Sequence, residues 1–411
     1  MRSGLVILLM LFCFSSVAQE KDTVDVNSII RKLFNKNGAD KKSSSNISLL
    51  PAIGYNPSLG FILGANVTMG SYKGDKSTTS LSTATATAYF TTNGVINIQL
   101  RHNTFTKNNE WNFQGNGQIT KMIVMDYGIG NGAGRFADEG FSVMQYSITG
   151  DTVVDPLKFN QIRLYEKVYR KISKNVMVGA GLNVDYHFDI NDTKLNVDSL
   201  QFTPHYVYSV AEGISPTHYW TNGVLLNIQY TTREHANRSY HGVLADLTVR
   251  LNPKWLGSTK SSAQVMTEVR KYISLSKSKP ETVLAFWHLG NYLIGGGTLP
   301  YLDMPATASD TYNRSGRGYT IGRFRGPSFF YLESEFRFPI TANKLFSGVA
   351  FANVESVTDA SNNGLFKTFE PAYGAGLRIL FNRNTRTNIC IDYAMGRYGS
   401  KGLFFGLNEV F

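Results

Sequence analysis

The stretch VMVGAGLNVDYHFD, residues 176–189, alternates between two kinds of side chain along its whole length. One face carries the apolar residues Val176, Val178, Ala180, Leu182, Val184, Tyr186 and Phe188. The other face carries mainly small and polar residues: Met177, Gly179, Gly181, Asn183, Asp185, His187 and Asp189. Successive side chains of a strand point to opposite faces, so the stretch predicts a strand with one apolar side. Its length exceeds the roughly 5–6 residues of a typical soluble strand and fits a tilted membrane-spanning strand of about 9–11 residues.

The same alternation recurs along the chain. In FFYLESEFRF, residues 329–338, Glu333, Glu335 and Arg337 share one face with Tyr331. Further alternating runs occupy residues 81–90, 94–102, 223–232, 243–251, 262–275 and 370–382. Charges confined to one face of long strands are typical of a barrel with a wet lumen and a lipid-facing exterior. We therefore predict an all-β fold, a transmembrane antiparallel β-barrel. Residues 47–411 suit about sixteen strands at roughly 22–24 residues for each strand with its connection, and fourteen or eighteen remain open.

The beginning of the chain has the features of an export signal. Arg2 precedes the apolar run LVILLMLFCF, residues 5–14, and small residues follow at positions 16–18. The run is too short to span a bilayer as a helix. We predict a cleaved signal peptide at residues 1–18, a periplasmic N-terminal linker at residues 19–46 and a barrel at residues 47–411. Cys13 would leave with the signal, so only Cys390 would remain and no internal disulfide is predicted.

The composition agrees with a barrel in the cell outer membrane of Gram-negative type. Aromatic residues make up 13% of the chain, as the aromatic girdles of such barrels require. The formal net charge is +11. In an exported protein this basic balance suggests contact with outer-membrane lipid and lipopolysaccharide rather than with nucleic acid. An equally good interpretation is that the basic residues only line solvated loops.

Three long segments lack the alternation and are predicted to be extracellular loops. They are residues 126–160, 189–219 and 298–328. The last contains YNRSGRGYTIGRFRG, residues 312–326, which matches neither the dinucleotide spacing G-x-G-x-x-G nor a P-loop. One Arg/Gly/aromatic tract is weak support for nucleic-acid binding. A plain basic loop remains an alternative.

The end of the chain, KGLFFGLNEVF, predicts a closing strand. Leu403, Phe405, Leu407 and Phe411 share one face, which Glu409 interrupts. A final amphipathic strand with an aromatic end is usual for an outer-membrane barrel.

Arg317-Gly318-Tyr319 is followed by ESEFRFP (333–339), GAGLR (374–378) and IDYAMG (391–396). In this order and spacing the segments resemble the BamA/TamA family, also called the bacterial surface antigen family, of outer-membrane assembly and translocation barrels. The resemblance covers residues 317–411, and upstream only the alternation agrees. It implies that Arg317, Gly318 and Tyr319 form the tip of a long loop folded into the lumen before the last four strands. It also implies that Glu335 occupies the family's acidic position opposite the loop.

The residue types of the motif suit a loop anchor. Arginine offers a planar fork that can bind a carboxylate through two hydrogen bonds. Gly318 would let the backbone turn tightly, and Tyr319 would add contact area with a hydroxyl group. The chain departs from the family at Phe351-Ala352-Asn353-Val354-Glu355, where Asn353 replaces an acidic partner of the arginine. The expected loop-anchor partners that remain are Glu335, Glu333 and Glu355. 

The family's periplasmic POTRA domains have no counterpart between the predicted signal and the first strand. We therefore expect a separate periplasmic partner to present client proteins. The first strand is expected near SLGFILGANV, residues 58–67, where Gly60 and Gly64 would weaken one side of the seam between first and last strands. 

Other polar clusters are better explained by structure than by chemistry. Asp185, His187 and Asp189 suit a polar lumen lining, although acid–base catalysis uses residues of this kind. Glu234, His235 and His241 flank a predicted turn and lack further metal ligands. Cys390 shares the inward face with Asp392 and has no neighbouring histidine. No catalytic residue, metal or cofactor is predicted.

The sequence thus favours a POTRA-less barrel that assists insertion or translocation of client outer-membrane proteins, or of lipids, without bond chemistry. The first alternative is a passive pore or transporter, which the basic balance would make anion-preferring. The second alternative is a hydrolase that uses Asp185, His187 or the extracellular loops.

Overall fold

The computed structural model describes residues 24–26, 28–29, 47–56, 58–132, 141–143, 146–148, 155–235, 237–310, 313–383 and 385–411. The expected signal peptide and most of the expected linker lie outside these residues. Within the described ranges, no helix is both long and apolar enough to cross a membrane.

Sixteen antiparallel strands form a closed barrel, in which each strand pairs with its neighbours in chain order. This confirms the predicted fold class. Two further short strands, β6 and β7, form a separate two-stranded sheet. The strands are β1 (Ile47–Asn56), β2 (Gly60–Ser71), β3 (Ser82–Thr91), β4 (Ile96–Phe105), β5 (Trp111–Asp126), β6 (Phe141–Val143), β7 (Tyr146–Ile148), β8 (Asp155–Lys171), β9 (Val176–Asp192), β10 (Tyr219–Thr231), β11 (Gly242–Asn252), β12 (Ser262–Ser274), β13 (Val283–Ile294), β14 (Phe329–Pro339), β15 (Phe346–Val357), β16 (Glu370–Asn382), β17 (Thr387–Gly396) and β18 (Lys401–Leu407).

The wall strands keep the alternation that the sequence shows, because each has one lipid-facing and one lumen-facing side. On β9, Leu182 is exposed to the outside, whereas Asp185 and His187 are buried. The alternation shifts by one residue at Asp189, which has a positive φ of 50° and is exposed, whereas Ile190 is buried. The pairing of β8 with β9 is irregular at this height. The prediction that Asp189 shares the lumen face with Asp185 and His187 is therefore wrong.

The three predicted long loops all emerge from one end of the barrel, which we call the loop end. They connect β5 to β8, β9 to β10 and β13 to β14. The opposite end, with shorter connections, is the turn end. The β9–β10 loop carries the helix α1 (Pro204–Ala211), and Tyr208 of this helix donates a hydrogen bond to the Leu299 carbonyl of the β13–β14 loop (2.9 Å). The loops therefore pack against one another over the lumen. Three short 3-10 turns also lie among the described residues: Lys107–Asn109, Lys254–Leu256 and Tyr301–Asp303.

The β13–β14 loop, residues 295–328, precedes five strands and not the expected four. The extra strand fits because the β16–β17 and β17–β18 connections are only four residues long, residues 383–386 and 397–400.

The barrel closes between β1 and β18, and this seam is the weakest pairing in the wall. Its strands share a single register pair, Tyr55 with Phe405, whereas β1 pairs with β2 along its whole length. The prediction that Gly60 and Gly64 lie at the seam is wrong, because an earlier strand precedes them and both belong to β2. Gly54 lies there instead, and a Cβ on it would be 2.9 Å from the Phe405 carbonyl oxygen.

The chain leaves the wall after Leu407 and turns into the lumen at Asn408, which has a φ of 68°. Glu409 and Phe411 are consequently buried. The prediction that Phe411 lies on the closing strand with Leu403, Phe405 and Leu407 is therefore wrong. A continued strand would place Glu409 on the same face as Leu407, where lipid would surround its charge at a cost. The inward turn gives this carboxylate partners in the lumen.

Gly64 allows β2 and β3 to approach closely. A Cβ at this position would lie 2.1 Å from the Ala88 carbonyl oxygen and 2.6 Å from Tyr89 Cα. We predict that Gly64→Ala destabilises the barrel by about 1–3 kcal/mol, because the clash is with backbone. The measurement is the urea midpoint of refolding in detergent. Gly406→Ala is the matched control, since nothing lies within 4 Å of a Cβ there, and equal midpoints for both variants would contradict the prediction.

Candidate functional site

The β13–β14 loop folds back into the lumen and holds its arginine motif deep inside the barrel. Arg317 is only 4% exposed. Near the loop's base, the guanidinium of Arg325 donates to the Tyr301 carbonyl (3.0 Å). Arg314 donates to the carbonyl oxygens of Leu407 (2.9 Å), the last residue of β18, and of Glu409 just beyond it. The loop therefore extends through the lumen from the loop end of the barrel to the end of β18 at the turn end.

Arg317 binds three carboxylates from two strands. Its Nη2 donates to Glu333 and to Glu335 (3.2 Å) on β14, and its Nη1 donates to Asp392 on β17 (2.9 Å). The guanidinium also lies over the ring of Phe351, 3.5 Å from the ring centroid. Burial by itself lowers the pKa of Arg317, but the three carboxylates raise it above its usual range, so this side chain is charged.

Asp392 supplies the acidic contact that Asn353 cannot. Asn353 instead donates through Nδ2 to the backbone carbonyl of Arg317 (2.9 Å). Glu355, another expected partner of the arginine, accepts from the Thr307 hydroxyl of the same loop (3.0 Å). The structure thus brings Glu333 and Glu335 to the guanidinium of Arg317. Asn353 instead binds the backbone of the loop, and Glu355 binds the Thr307 side chain.

Sequence reasoning placed Asp392 on the inward face but did not connect it to Arg317. The two residues are far apart in sequence and lie on elements separated by the whole β14–β16 wall segment. The sequence gives one indication, which is the replacement of an acidic residue by Asn353. A buried arginine then needs another inward-facing carboxylate within reach.

Arg317 belongs to a larger set of buried charges, which we call the lumen ion network. Arg378 contacts Glu335 (3.4 Å), Asp392 (2.5 Å) and Glu409 (2.8 Å). Arg337 contacts Glu335 (2.6 Å), and Arg238 contacts Glu409 (3.1 Å). The network comprises Arg238, Arg317, Arg337, Arg378, Glu333, Glu335, Asp392 and Glu409.

All members of the lumen ion network are at most 5% exposed, and its four arginines are matched by four carboxylates. Charges out of contact with water need such pairing, because the desolvation penalty is several kcal/mol for each ion. Removing one member would leave an opposite charge buried without compensation.

Gly318 and Tyr319 fix the rest of the motif against β16 and β17. Gly318 has a φ of 108°, and a Cβ there would lie 2.8 Å from the Cβ of Ala372. The Tyr319 hydroxyl donates to the Pro371 carbonyl (2.6 Å) and accepts from the Arg397 backbone N–H (3.0 Å). The positive φ and the tight space explain the glycine, and the hydroxyl explains a tyrosine in place of phenylalanine.

The Asp185 and His187 cluster is a second polar lining of the lumen. Asp185 is bound by Arg163 (2.5 Å) and Arg250 (3.0 Å), and it accepts from the Tyr165 hydroxyl (2.9 Å). His187 contacts Gln161 (2.9 Å). The carboxylate of Asp185 is thus held between two arginines, as a buried charge requires.

Glu234, His235 and His241 lie, as predicted, in a connection, between β10 and β11. No group of three or more metal-ligating side chains occurs among the residues that the structure describes. On the closing strand, Leu403 and Phe405 face outward, 39% and 37% exposed.

The Omp85 superfamily domain matches residues 112–411. Among solved structures, BamA from Haemophilus ducreyi lacking POTRA domains 1-3 is similar, with a TM-score of 0.57 and 12% identity over 90% of this chain and 73% of that one. CdiB from Acinetobacter baumannii (TM-score 0.52, 11% identity) and CdiB from Escherichia coli (0.54, 5%) are similar over 88% of this chain. The chain spans 60% and 62% of those two CdiB chains. At these identities the likeness concerns the fold. No curated protein matches the chain.

We predict that Arg317→Ala destabilises the barrel by about 3–5 kcal/mol, because Glu333 would remain buried without its cation, and Glu335 and Asp392 would each lose one. The measurement is the temperature at which the barrel loses its compact, fast-migrating form on a semi-native gel. Arg397→Ala is the control, because its side chain is 48% exposed and lies 3.5 Å from Glu370. Glu370 is buried but keeps hydrogen bonds from the Tyr398 hydroxyl (3.1 Å) and the Gly132 N–H (2.9 Å), so the loss of the half-exposed arginine should cost much less. A similar loss for both variants would contradict the network's importance.

Asn353→Asp, which restores the family's acidic residue, is predicted to destabilise the protein by about 1–3 kcal/mol. A carboxylate cannot donate to the Arg317 carbonyl, and it would add an unbalanced negative charge. Asn353→Ala removes the hydrogen bond without adding charge and should cost less. The same gel assay compares them, and an Asp variant as stable as the wild type would show that Asp392 does not replace the missing acid.

Proposed function

The chain belongs to the Omp85 superfamily, and from this premise we propose that it assists the insertion or translocation of client proteins at the outer membrane. Barrels of this superfamily serve protein assembly and translocation in the Gram-negative outer membrane. The narrower role proposed here is that client strands, or lipids, pass through the seam between β1 and β18. A separate periplasmic partner would deliver them.

The observation that carries the proposal is the incomplete seam. With only Tyr55 and Phe405 in register, β1 offers its other residues, from Ile47 to Gly54, as a strand edge that β18 does not cover. Unpaired N–H and C=O groups of an edge pair readily with an incoming strand. The seam therefore combines a low cost of opening with a template for a new strand.

The motif loop would act in this function as a positioning element. Arg317 ties the loop to β14 and β17, and Arg314 ties it to the end of β18. In the strand order β17 neighbours β18, the last strand at the seam, and β14 lies three strands further along the wall. The lumen ion network would therefore hold β18 in place while β1 separates from it.

The proposal is tested by locking the seam with Tyr55→Cys and Phe405→Cys. Under oxidation, we expect a defined set of outer-membrane proteins to fall while their transcripts hold steady, and to recover with reductant. The matched control is Leu63→Cys with Phe90→Cys, an outward pair on the fully paired β2 and β3. The measurement is the outer-membrane proteome of cells that carry each variant.

An unchanged proteome in the locked strain would overturn the insertion role. If solute permeability changed instead, the chain would be a pore built on the same architecture. Membrane fractionation of both variants first establishes that equal amounts of barrel are present.

A further inference from the structure

The connection between β10 and β11 reaches across the turn end of the barrel. Its residues Glu234, Asn237, Arg238 and Tyr240, which we call the mouth strap, contact the β16–β17 turn. In the sixteen-strand ring β10 and β16 are six strands apart, close to opposite one another. A connection that joins them must pass over the mouth of the lumen.

On the far side, the mouth strap is held mainly by Arg386. The Arg386 guanidinium donates to Glu234 (2.8 Å) and to the Arg238 carbonyl (2.9 Å), and it lies 4.2 Å from the ring centroid of Tyr240. Asn237 adds a hydrogen bond to the Thr385 carbonyl (3.1 Å). These contacts are at the surface, where Arg386 and Glu234 are 28% and 23% exposed.

The mouth strap is also connected to the lumen. Arg238 points inward and contacts Glu409 (3.1 Å), and both are buried. Glu409 belongs to the segment Asn408–Phe411, which the chain places inside the barrel, and the carbonyl of Asn408 accepts from the Cys390 thiol (2.9 Å). The strap thus rests on the segment that covers Cys390.

We propose that the mouth strap is a reversible gate at the turn end of the barrel, closed in this structure by Arg386 and opened when its contacts with Glu234 and Arg238 break. The gate controls entry to the lumen whichever substrate the barrel handles, so it does not depend on the insertion role.

The strength of its contacts suits a gate. The Glu234–Arg386 pair is partly exposed, and pairs of this kind are individually weak. When the strap opens, Arg238 leaves Glu409, but Glu409 keeps its ion pair with Arg378 (2.8 Å), so no buried carboxylate loses its last cation. Partial burial works against ionisation of Glu234, but hydrogen bonds from the Tyr240 N–H, the Ser239 hydroxyl and Arg386 lower its pKa to about 2. The carboxylate therefore stays charged and bound at neutral pH, and an outside interaction has to release it.

Cys390 provides a native reporter of the gate. It is 5% exposed and is the only cysteine of residues 19–411. A closed strap holds the Asn408–Phe411 segment over the thiol, and an open strap releases Arg238 from that segment. Access of a charged, membrane-impermeant methanethiosulfonate reagent to Cys390 therefore measures the open state.

The test compares labelling rates of Cys390 in detergent-solubilised full-length protein. We expect Glu234→Gln and Arg386→Gln each to raise the rate about fivefold or more. A disulfide between Asn237→Cys and Thr385→Cys, added to Glu234→Gln, should return the rate to that of the wild type. Its control is a disulfide between Ser80→Cys and Asn109→Cys, a hydrogen-bonded pair (2.9 Å) that joins adjacent turns without crossing the mouth. This control should leave the raised rate unchanged.

Two results would overturn the gate. One is a wild-type rate in both Gln variants while Glu409→Gln exposes Cys390, which would assign protection to the inward segment alone. The other is equal protection by the two disulfides, which would assign it to general stiffening. Gel mobility confirms that every variant retains a folded barrel, and labelling requires no client protein, so loss of insertion activity is scored separately.

Discussion

Charge neutrality inside the lumen is the constraint on which the rest of the structure depends. A wet barrel can carry charges on its inner wall, but a loop that displaces the water leaves those charges without solvent. The described network meets this condition by alternating arginines and carboxylates from the loop, β14, β16, β17 and the segment after β18. The position of the loop and the inward turn at Asn408 both follow from this constraint. The loop brings Arg317 to the buried carboxylates, and the turn brings Glu409 to the buried arginines.

The fold could be predicted from the sequence because membrane-spanning strands obey one local rule. The alternation of residues such as 176–189 reflects the two environments of the wall, lipid outside and a polar lumen inside. It can be recognised without knowledge of any tertiary contact. The rule failed where local geometry departs from a regular strand. Asp189 lies at an irregularity, and Glu409 would have faced lipid on a continued strand, so Phe411 follows it inward. Gly60 and Gly64 were assigned to the wrong strand because Ile47–Asn56 has too few polar residues to show the alternation clearly.

The candidate site was predictable only in part. The motif residues and Glu333 and Glu335 are close in sequence and share a recognisable order, and the structure brings them together. Asp392 and Arg378 join the lumen ion network only because the closed barrel brings β16 and β17 close to the motif loop. No local sequence pattern predicts that proximity. Asn353 shows the limit most clearly. Its presence indicates that an acidic partner of the arginine is missing, but it does not indicate which strand supplies another carboxylate.

Arg378 has a consequence for how distant parts of the barrel are coupled. It touches Asp392, which also binds the loop arginine, and Glu409, which also binds Arg238 at the turn end. The two ends of the lumen therefore share one set of charges, and their free energies are linked. By thermodynamic reciprocity, if a ligand that displaces the loop changes the stability of the turn end by some factor, release of the turn end changes the affinity for that ligand by the same factor. Arg378 thus couples the position of the motif loop to the structure of the turn end.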